Sequence, residues 1–392
     1  MSFSLRAPLV PLLLLVAACA GGAQPEDATA EQAASSRSAG RAAEKIRDGL
    51  PRGLAMQIAH GEIHAAFVAR AGADDHVVYI HRPIAGGVPF AIEEVASASA
   101  LEGTGLAVDA EGEPHVAFFE RGKIMLARRV AGSWQSELVD ADAGASLLNP
   151  GPRVAVGSDG VEHVVYAAFA LTPDGQSRGC VKYAARAGAG FAPEIVDPGE
   201  VYDPGWRVET TGGAALVLDD ANVPHVCYAQ SRSLPPVSSA ADLKYARRGA
   251  TGWTRELVEK GGRSGGSCSI ALAASGAPSI SHLDWGSYDL RFAVRGASGW
   301  SASVVDADGA VGRFSSLAFD ASGAARVAYV DETSGMLKLA SASGASWAIE
   351  DVLAARAFSG GDMVSALDGD GAEHFLLTRI NAAGGGELVY VR

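Results

Sequence analysis

Apolar and polar residues alternate along this chain in short runs, and the same succession of runs returns at a near-constant spacing. Five segments make this plain: Leu106-AVDAEGEPHVAFFE, Val154-AVGSDGVEHVVYAA, Leu216-VLDDANVPHVCYAQ, Ile270-ALAASGAPSISHLD and Leu317-AFDASGAARVAYVD. Fainter copies run from Ala55 to Ala69 and from Ser365 to Arg379. Each reads as a strand, a turn of the form Asp-x-x-Gly, and a second strand, because a period of two is the mark of a strand with two different faces. The second strands start at positions 64, 115, 163, 225, 279, 326 and 374. Repeats of roughly 40–50 residues are the mark of a propeller or an array.

Each unit continues alike. A third strand follows (Val77-VYIHR, Ile124-MLARR, Val181-KYAAR, Leu243-KYARR, Leu290-RFAVR, Leu337-KLASA), then a turn and a fourth strand opening on an aromatic residue. The fourth strands are Phe90-AIEEV, Trp134-QSELV, Phe191-APEIV, Trp253-TRELV, Trp300-SASVV and Trp347-AIEDV. Four antiparallel, hairpin-joined strands make one propeller blade. The expected fold is therefore all-β, a seven-bladed β-propeller over residues 40–392. The seventh unit stops after its third strand, Leu388-VYVR, while Arg41-AAEKI has Glu44 and Ile46 where Trp253-TRELV has Glu and Val. That match predicts a ring closed by the N-terminal strand, which would remove an exposed sheet edge.

Composition adds an address. Residues 1–18 combine Arg6 with an apolar run too short to span a bilayer, the pattern of a signal peptide. The run ends in Val16-Ala17-Ala18-Cys19, which resembles the bacterial lipobox. The resemblance implies cleavage before Cys19, lipidation of Cys19, and, with Ala20 following it, an outer-membrane lipoprotein of the cell envelope. Residues 19–39 hold almost no large apolar side chains and read as a tether. The expected membrane hold is the lipid anchor. A formal charge of −13 without a basic stripe excludes a nucleic-acid partner. Three cysteines remain, Cys180, Cys227 and Cys268, all in apolar runs; small buried hydrophobes are favoured there over a disulfide.

The propeller pattern is similar to repeats of bacterial surface propellers and resembles sialidase-type (Asp-box) propellers in architecture only. The sialidase box Ser-x-Asp-x-Gly-x-Thr-Trp is missing from this sequence, so the resemblance implies the fold and no glycosidase chemistry.

Candidate chemistry is sparse. Five histidines share one repeat position: His64, His115, His163, His225 and His374. They fall on different blades, too far apart for one ion with bonds of ~2 Å, so a hydrogen bond to nearby turn backbone is expected of each. No metal, cofactor or catalytic residue is assigned. Asp-rich turns such as Asp140-ADAG lack the ligand spacing of a calcium loop. Gly262-Arg-Ser264-Gly-Gly266 matches G-x-S-x-G but not its strand-to-helix setting. The repeated Arg of the third strand and Glu of the fourth suggest cross-strand pairing on outer strands. Function is expected where the repeat breaks. Long connections follow the second strands of blades 3 and 4, and Asp197-PGEVYDPGWR joins those blades. The candidate ligand-binding residues are Asp203, Trp206, Arg207, Asp284, Trp285, Asp331 and Glu120, on one face. They suit a non-catalytic binding or scaffold module for a glycan or an envelope protein. The alternative is a propeller-type carbohydrate hydrolase or lyase.

Overall fold

In the computed structural model the described residues are 41–143, 151–171, 177–198, 208–209, 214–234, 238–262, 264–354 and 362–392. They hold strands and turns and no helix, hence no helix long and apolar enough to cross a membrane. The first strand is β1 (Ala43–Asp48). Blade 1 comprises β2 (Arg52–Ala59), β3 (Glu62–Ala71), β4 (Asp74–Pro83) and β5 (Ala91–Ala98). Blade 2 comprises β6 (Leu101–Val108), β7 (Pro114–Glu120), β8 (Lys123–Val130) and β9 (Ser133–Asp140). Blade 3 comprises β10 (Arg153–Val156), β11 (Glu162–Leu171), β12 (Ser177–Ala187) and β13 (Gly190–Asp197). Blade 4 adds a short strand, β14 (Val208–Glu209), to β15 (Ala214–Leu218), β16 (Pro224–Leu234), β17 (Ser238–Gly249) and β18 (Gly252–Gly262). Blade 5 comprises β19 (Ser264–Leu272), β20 (Pro278–Asp284), β21 (Asp289–Gly296) and β22 (Gly299–Asp306). Blade 6 comprises β23 (Arg313–Phe319), β24 (Ala325–Asp331), β25 (Met336–Ser343) and β26 (Ser346–Ala354). Blade 7 holds β27 (Met363–Leu367), β28 (Glu373–Ile380) and β29 (Gly386–Val391), and β1 pairs antiparallel with β29 as its fourth strand.

The fold is thus a ring of seven four-stranded antiparallel blades. Each first strand touches the first strand of the next blade, and β27 touches β2, so these strands form the innermost circle. The second strand of a blade is covered on both faces by its neighbours, which is why β7 and β20 are buried almost throughout. Outer strands such as β9 and β22 alternate exposed and half-buried positions. The apolar cores lie between blades: Val77 and Tyr79 of blade 1 pack with Val116 and Phe118 of blade 2, and Leu376 and Tyr390 of blade 7 pack with Ile63 and Ile80 of blade 1.

Two local devices recur. In the turn between first and second strands the Asp carboxylate accepts two backbone N–H groups, as Asp109 does from Glu111 (3.0 Å) and Glu113 (2.8 Å). The fourth turn residue, Gly112, has φ +87°, and Asn222 takes that left-handed place (φ +58°) in blade 4. The third-to-fourth strand pairing also slips by one residue at the same point in each blade. The fourth strand leaves Val95, Val139, Val196, Val258, Val305 and Val352 unpaired, and β1 does the same at Ile46. Such a bulge re-aims the extra side chain and increases the local twist.

One expectation changes. Where long loops were expected after the second strands of blades 3 and 4, the described residues lengthen the hairpin arms, with Leu171 opposite Ser177 and Leu234 opposite Ser238; residues 172–176 and 235–237 lie outside the described residues. Ladder hydrogen bonds satisfy the backbone there, and β14 joins the longer arm through Val208 and Arg232.

Candidate functional site

The repeated polar residues resolve into clips between blades. The Trp that opens a fourth strand packs edge-on against a third-strand ring of the preceding blade: Trp134 on Tyr79 (5.5 Å), Trp253 on Tyr183, Trp300 on Tyr245 and Trp347 on Phe292 (each 5.2 Å). In three of these its indole N–H donates to a Glu of that same preceding blade: Trp134 to Glu93, Trp253 to Glu194 and Trp300 to Glu256, each 2.9 Å. The third-strand Arg joins that Glu, as Arg248 does with Glu194 and Arg295 with Glu256. The Arg–Glu pairs therefore run between blades, not within them as expected, because the propeller twist stacks one outer strand over the next. Arg82 of blade 1 reaches Glu44 of β1 (2.8 Å), and Arg41, where other blades have Trp or Phe, reaches Glu350 of blade 6 (2.9 Å).

The histidines bond side chains in the blades where partners are present, and His64 also keeps a turn-backbone partner at Ala59, as expected. His374 donates from Nε2 to the turn carboxylate of Asp368 (3.0 Å) and accepts at Nδ1 from the Tyr390 hydroxyl (2.5 Å). His225 repeats this with Asp219 and Tyr245, and His64 and His163 pair with Tyr79 and Tyr183. Burial holds these four below the ordinary histidine pKa. His115 has no such Tyr. Burial depresses it too, but bonds to Glu162 and Asp109 outweigh that and raise it. Glu162 answers in kind: burial lifts its pKa, yet His115 and Arg186 bring it down to about 2.

A third clip was missed from sequence. Asp140, Asp197 and Asp306, which end fourth strands, accept from the hydroxyls of Tyr166 (2.7 Å), Tyr228 (2.7 Å) and Tyr329 (2.6 Å) on the next blade. Lys182, Lys244 and Lys338 complete the sets. Between blades 4 and 5 the same places hold Glu259 of blade 4 and His282 and Arg291 of blade 5, with His282 Nε2 3.1 Å from Glu259. The available signal was an Asp closing three of the fourth strands, each followed in the next unit by Tyr at the fourth residue of its second strand.

With these residues assigned to structure, what remains is the face where second strands end and first strands begin. Of the sequence candidates, Cys19, Asp203, Trp206 and Arg207 lie outside the described residues. Glu120 ends β7 opposite Leu101. Asp331 is buried, and its carboxylate is taken up by Thr333 N, Ser334 N, Ser334 Oγ and Lys338 Nζ, all within 3.1 Å. Asp284 caps its own turn through Gly286 N (2.7 Å). Trp285 is half-buried and lies over the inner strand β19: a Cβ on Gly266 would come 2.1 Å from its indole nitrogen. Tyr288, an exposed ring at φ +63°, stands edge-on to Trp285 at 6.2 Å.

Sequence reading missed the channel mouth itself. Arg153 begins β10 and Asp362 directly precedes β27, on blades 3 and 7, and the two lie within electrostatic reach of one another. Each is half-buried. Burial raises the Asp362 pKa against the opposing pull of the Leu54 N–H and Arg153; burial lowers that of Arg153. Asp362 accepts from Leu54 N (2.7 Å), Thr104 Oγ1 donates to Gly53 O (2.6 Å), and Arg153 donates to Thr104 O (3.1 Å). A polar belt thus runs from blade 7 through blades 1 and 2 to blade 3. Among the described residues no group of three or more His, Cys, Asp and Glu is placed to hold a metal ion.

No family model matches the sequence, and no curated protein does either. Solved structures share the fold. An ulvan lyase of polysaccharide lyase family PL25 aligns with TM-score 0.59 at 13% identity, over 89% of this chain and 96% of its own. The polysaccharide lyase Uly1 aligns with TM-score 0.54 at 10% identity, over 87% and 90%. Hydrazine synthase of Kuenenia stuttgartiensis aligns with TM-score 0.51 at 8% identity, over 88% and 96%. Proteins with such different activities on one scaffold establish the architecture alone.

Proposed function

We propose that this chain is a lipid-anchored envelope propeller that binds a glycan at the channel mouth, without turning it over. The Trp285–Tyr288 pair carries the reading. An aromatic platform at the rim, one ring exposed and the other seated over a glycine of the inner strand, offers the flat apolar face that a sugar ring stacks on. At the starts of inner strands, Arg153 and Asp362 supply a charged donor and an acceptor for hydroxyls or a carboxylate. Asp331, a candidate carboxylate of that face, is already saturated, which leaves it poorly placed as a general acid or nucleophile. Retention of residues 40–392 on immobilised neutral and acidic polysaccharides tests this. Retention that falls about tenfold or more in Trp285→Ala, with no new reducing ends or unsaturated products, is the expected result; unchanged retention overturns it.

The second reading is a carbohydrate-active lyase or hydrolase. Solved polysaccharide lyases with this fold over most of the chain favour it, as does a carboxyl with raised pKa beside an arginine in the mouth. Product release from an acidic polysaccharide, lost in Asp362→Asn, would replace the first reading with this one.

A further inference from the structure

Of the three cysteines among the described residues, two share one apolar core. Cys227 is fully buried on β16 of blade 4, and Cys268, half-buried on the inner strand β19 of blade 5, packs against the apolar cluster that contains it. The two strands run in close contact: a Cβ on Gly265 would lie 2.9 Å from the Ala229 Cβ, two residues beyond Cys227 on the same face of β16. Beyond Gly265 the pairing of β19 with β20 is interrupted between Gly266 and Ser269, with Ser267 at φ +49°. That irregularity turns Cys268 out of the regular ladder, as bulges do. Cys180 sits elsewhere, in the core between blades 2 and 3.

We infer that Cys227 and Cys268 are a disulfide pair, a covalent staple between blades 4 and 5 that closes when the chain meets a disulfide oxidant. The two side chains share one apolar cluster, and burial together with the neighbouring Cys268 raises the Cys227 thiol well above its ordinary pKa. Cys268 is the first nucleophile, being the more accessible of the two. Its thiolate attacks one sulfur of an oxidised small-molecule or protein disulfide, releasing a thiolate and leaving a mixed disulfide. Cys227 loses its proton and attacks the Cys268 sulfur, expelling the second thiol. In sum two S–H bonds are lost and one S–S bond forms, and two electrons and two protons reduce the oxidant to two thiols. Cys180, whose thiol burial pushes up to about 11, takes no part.

The sequence alone favoured small buried hydrophobes at all three positions, since their spacing gives no hint that strands from different blades meet. The inference does not depend on the glycan reading, and its test needs no ligand. Folded residues 40–392 are incubated with oxidised glutathione, quenched with acid, alkylated under denaturing conditions and digested without reductant. The expected product is one peptide pair joining Cys227 to Cys268, two hydrogens lighter than the sum, with Cys180 alkylated. Reductant should then lower the melting temperature of the oxidised protein and of Cys180→Ser by several degrees, and leave that of Cys268→Ser unchanged. Cys268 is the half-buried member, so that variant tests the idea even where Cys227→Ser fails to fold. Full alkylation of both cysteines after oxidation, or a link that includes Cys180, would overturn the assignment.

Discussion

His374 carries no solvent-exposed side-chain surface and lies between Asp368 and Tyr390, so its proton state is a property of the fold. With its folded pKa below 6.5, the native state holds fewer protons than the unfolded chain as pH falls through that value. The same sign applies to His64, His163 and His225; the stability they support is complete above the unfolded value and is lost as pH falls toward their folded pKa values. His115, with a raised pKa, acts in the opposite sense. Four against one, the melting temperature should drop between pH 7.5 and 5.5, and His374→Gln should flatten that slope in thermal melts at several pH values. A slope unchanged by the substitution would rule the histidine out as its source. Gly266 offers a second residue-scale test. Alanine there pushes a methyl into the Trp285 indole, so Gly266→Ala should shift tryptophan emission and weaken glycan retention as Trp285→Ala does, with little loss of stability. The repeat position of the histidines could be read from sequence, but their partners could not, because Asp368, His374 and Tyr390 come from a turn and two strands whose register only the sheet sets.

Strands here succeed or fail by what the next blade presents to them. Tyr228 is 1% exposed, and its hydroxyl meets Asp197 of blade 3, which Lys244 also reaches. Tyr228→Phe removes one buried donor from a carboxylate that keeps its cation, and should cost about 1–2 kcal/mol in urea unfolding. Glu256 accepts from both Trp300 and Arg295, but Arg295 is largely exposed, so Glu256→Gln should cost less, about 0.5–1 kcal/mol. A reversed order would mean that the outer clip, not the inner one, holds the blades together. The strand pattern itself was legible because each blade alternates apolar with polar residues. The direction of the Arg–Glu pairs was not, since two charges on adjacent strands of one unit look the same in sequence whether they bond each other or the blade beside them.

At the scale of the whole molecule, stability depends on every blade having a neighbour on both sides. Strand β1 bonds β29, carries the same bulge as the other fourth strands, and sends Glu44 to Arg82 of blade 1. Removing residues 40–48 leaves the outer edge of β29 unpaired and should lower the melting temperature by several degrees, whereas removing residues 20–36 should leave it unchanged; equal melting temperatures would separate β1 from ring stability. The primary structure by itself determined the blade count, the four-strand unit and the turn chemistry, because these follow from local periodicity and from residues only a few positions apart. The tertiary structure alone decided which side chains clip blade to blade, that Arg153 and Asp362 come within electrostatic reach, that Trp285 lies over Gly266, and that Cys227 and Cys268 share one core. Those contacts join units separated by tens or hundreds of residues, and only the curvature and twist of the ring bring them within reach of one another.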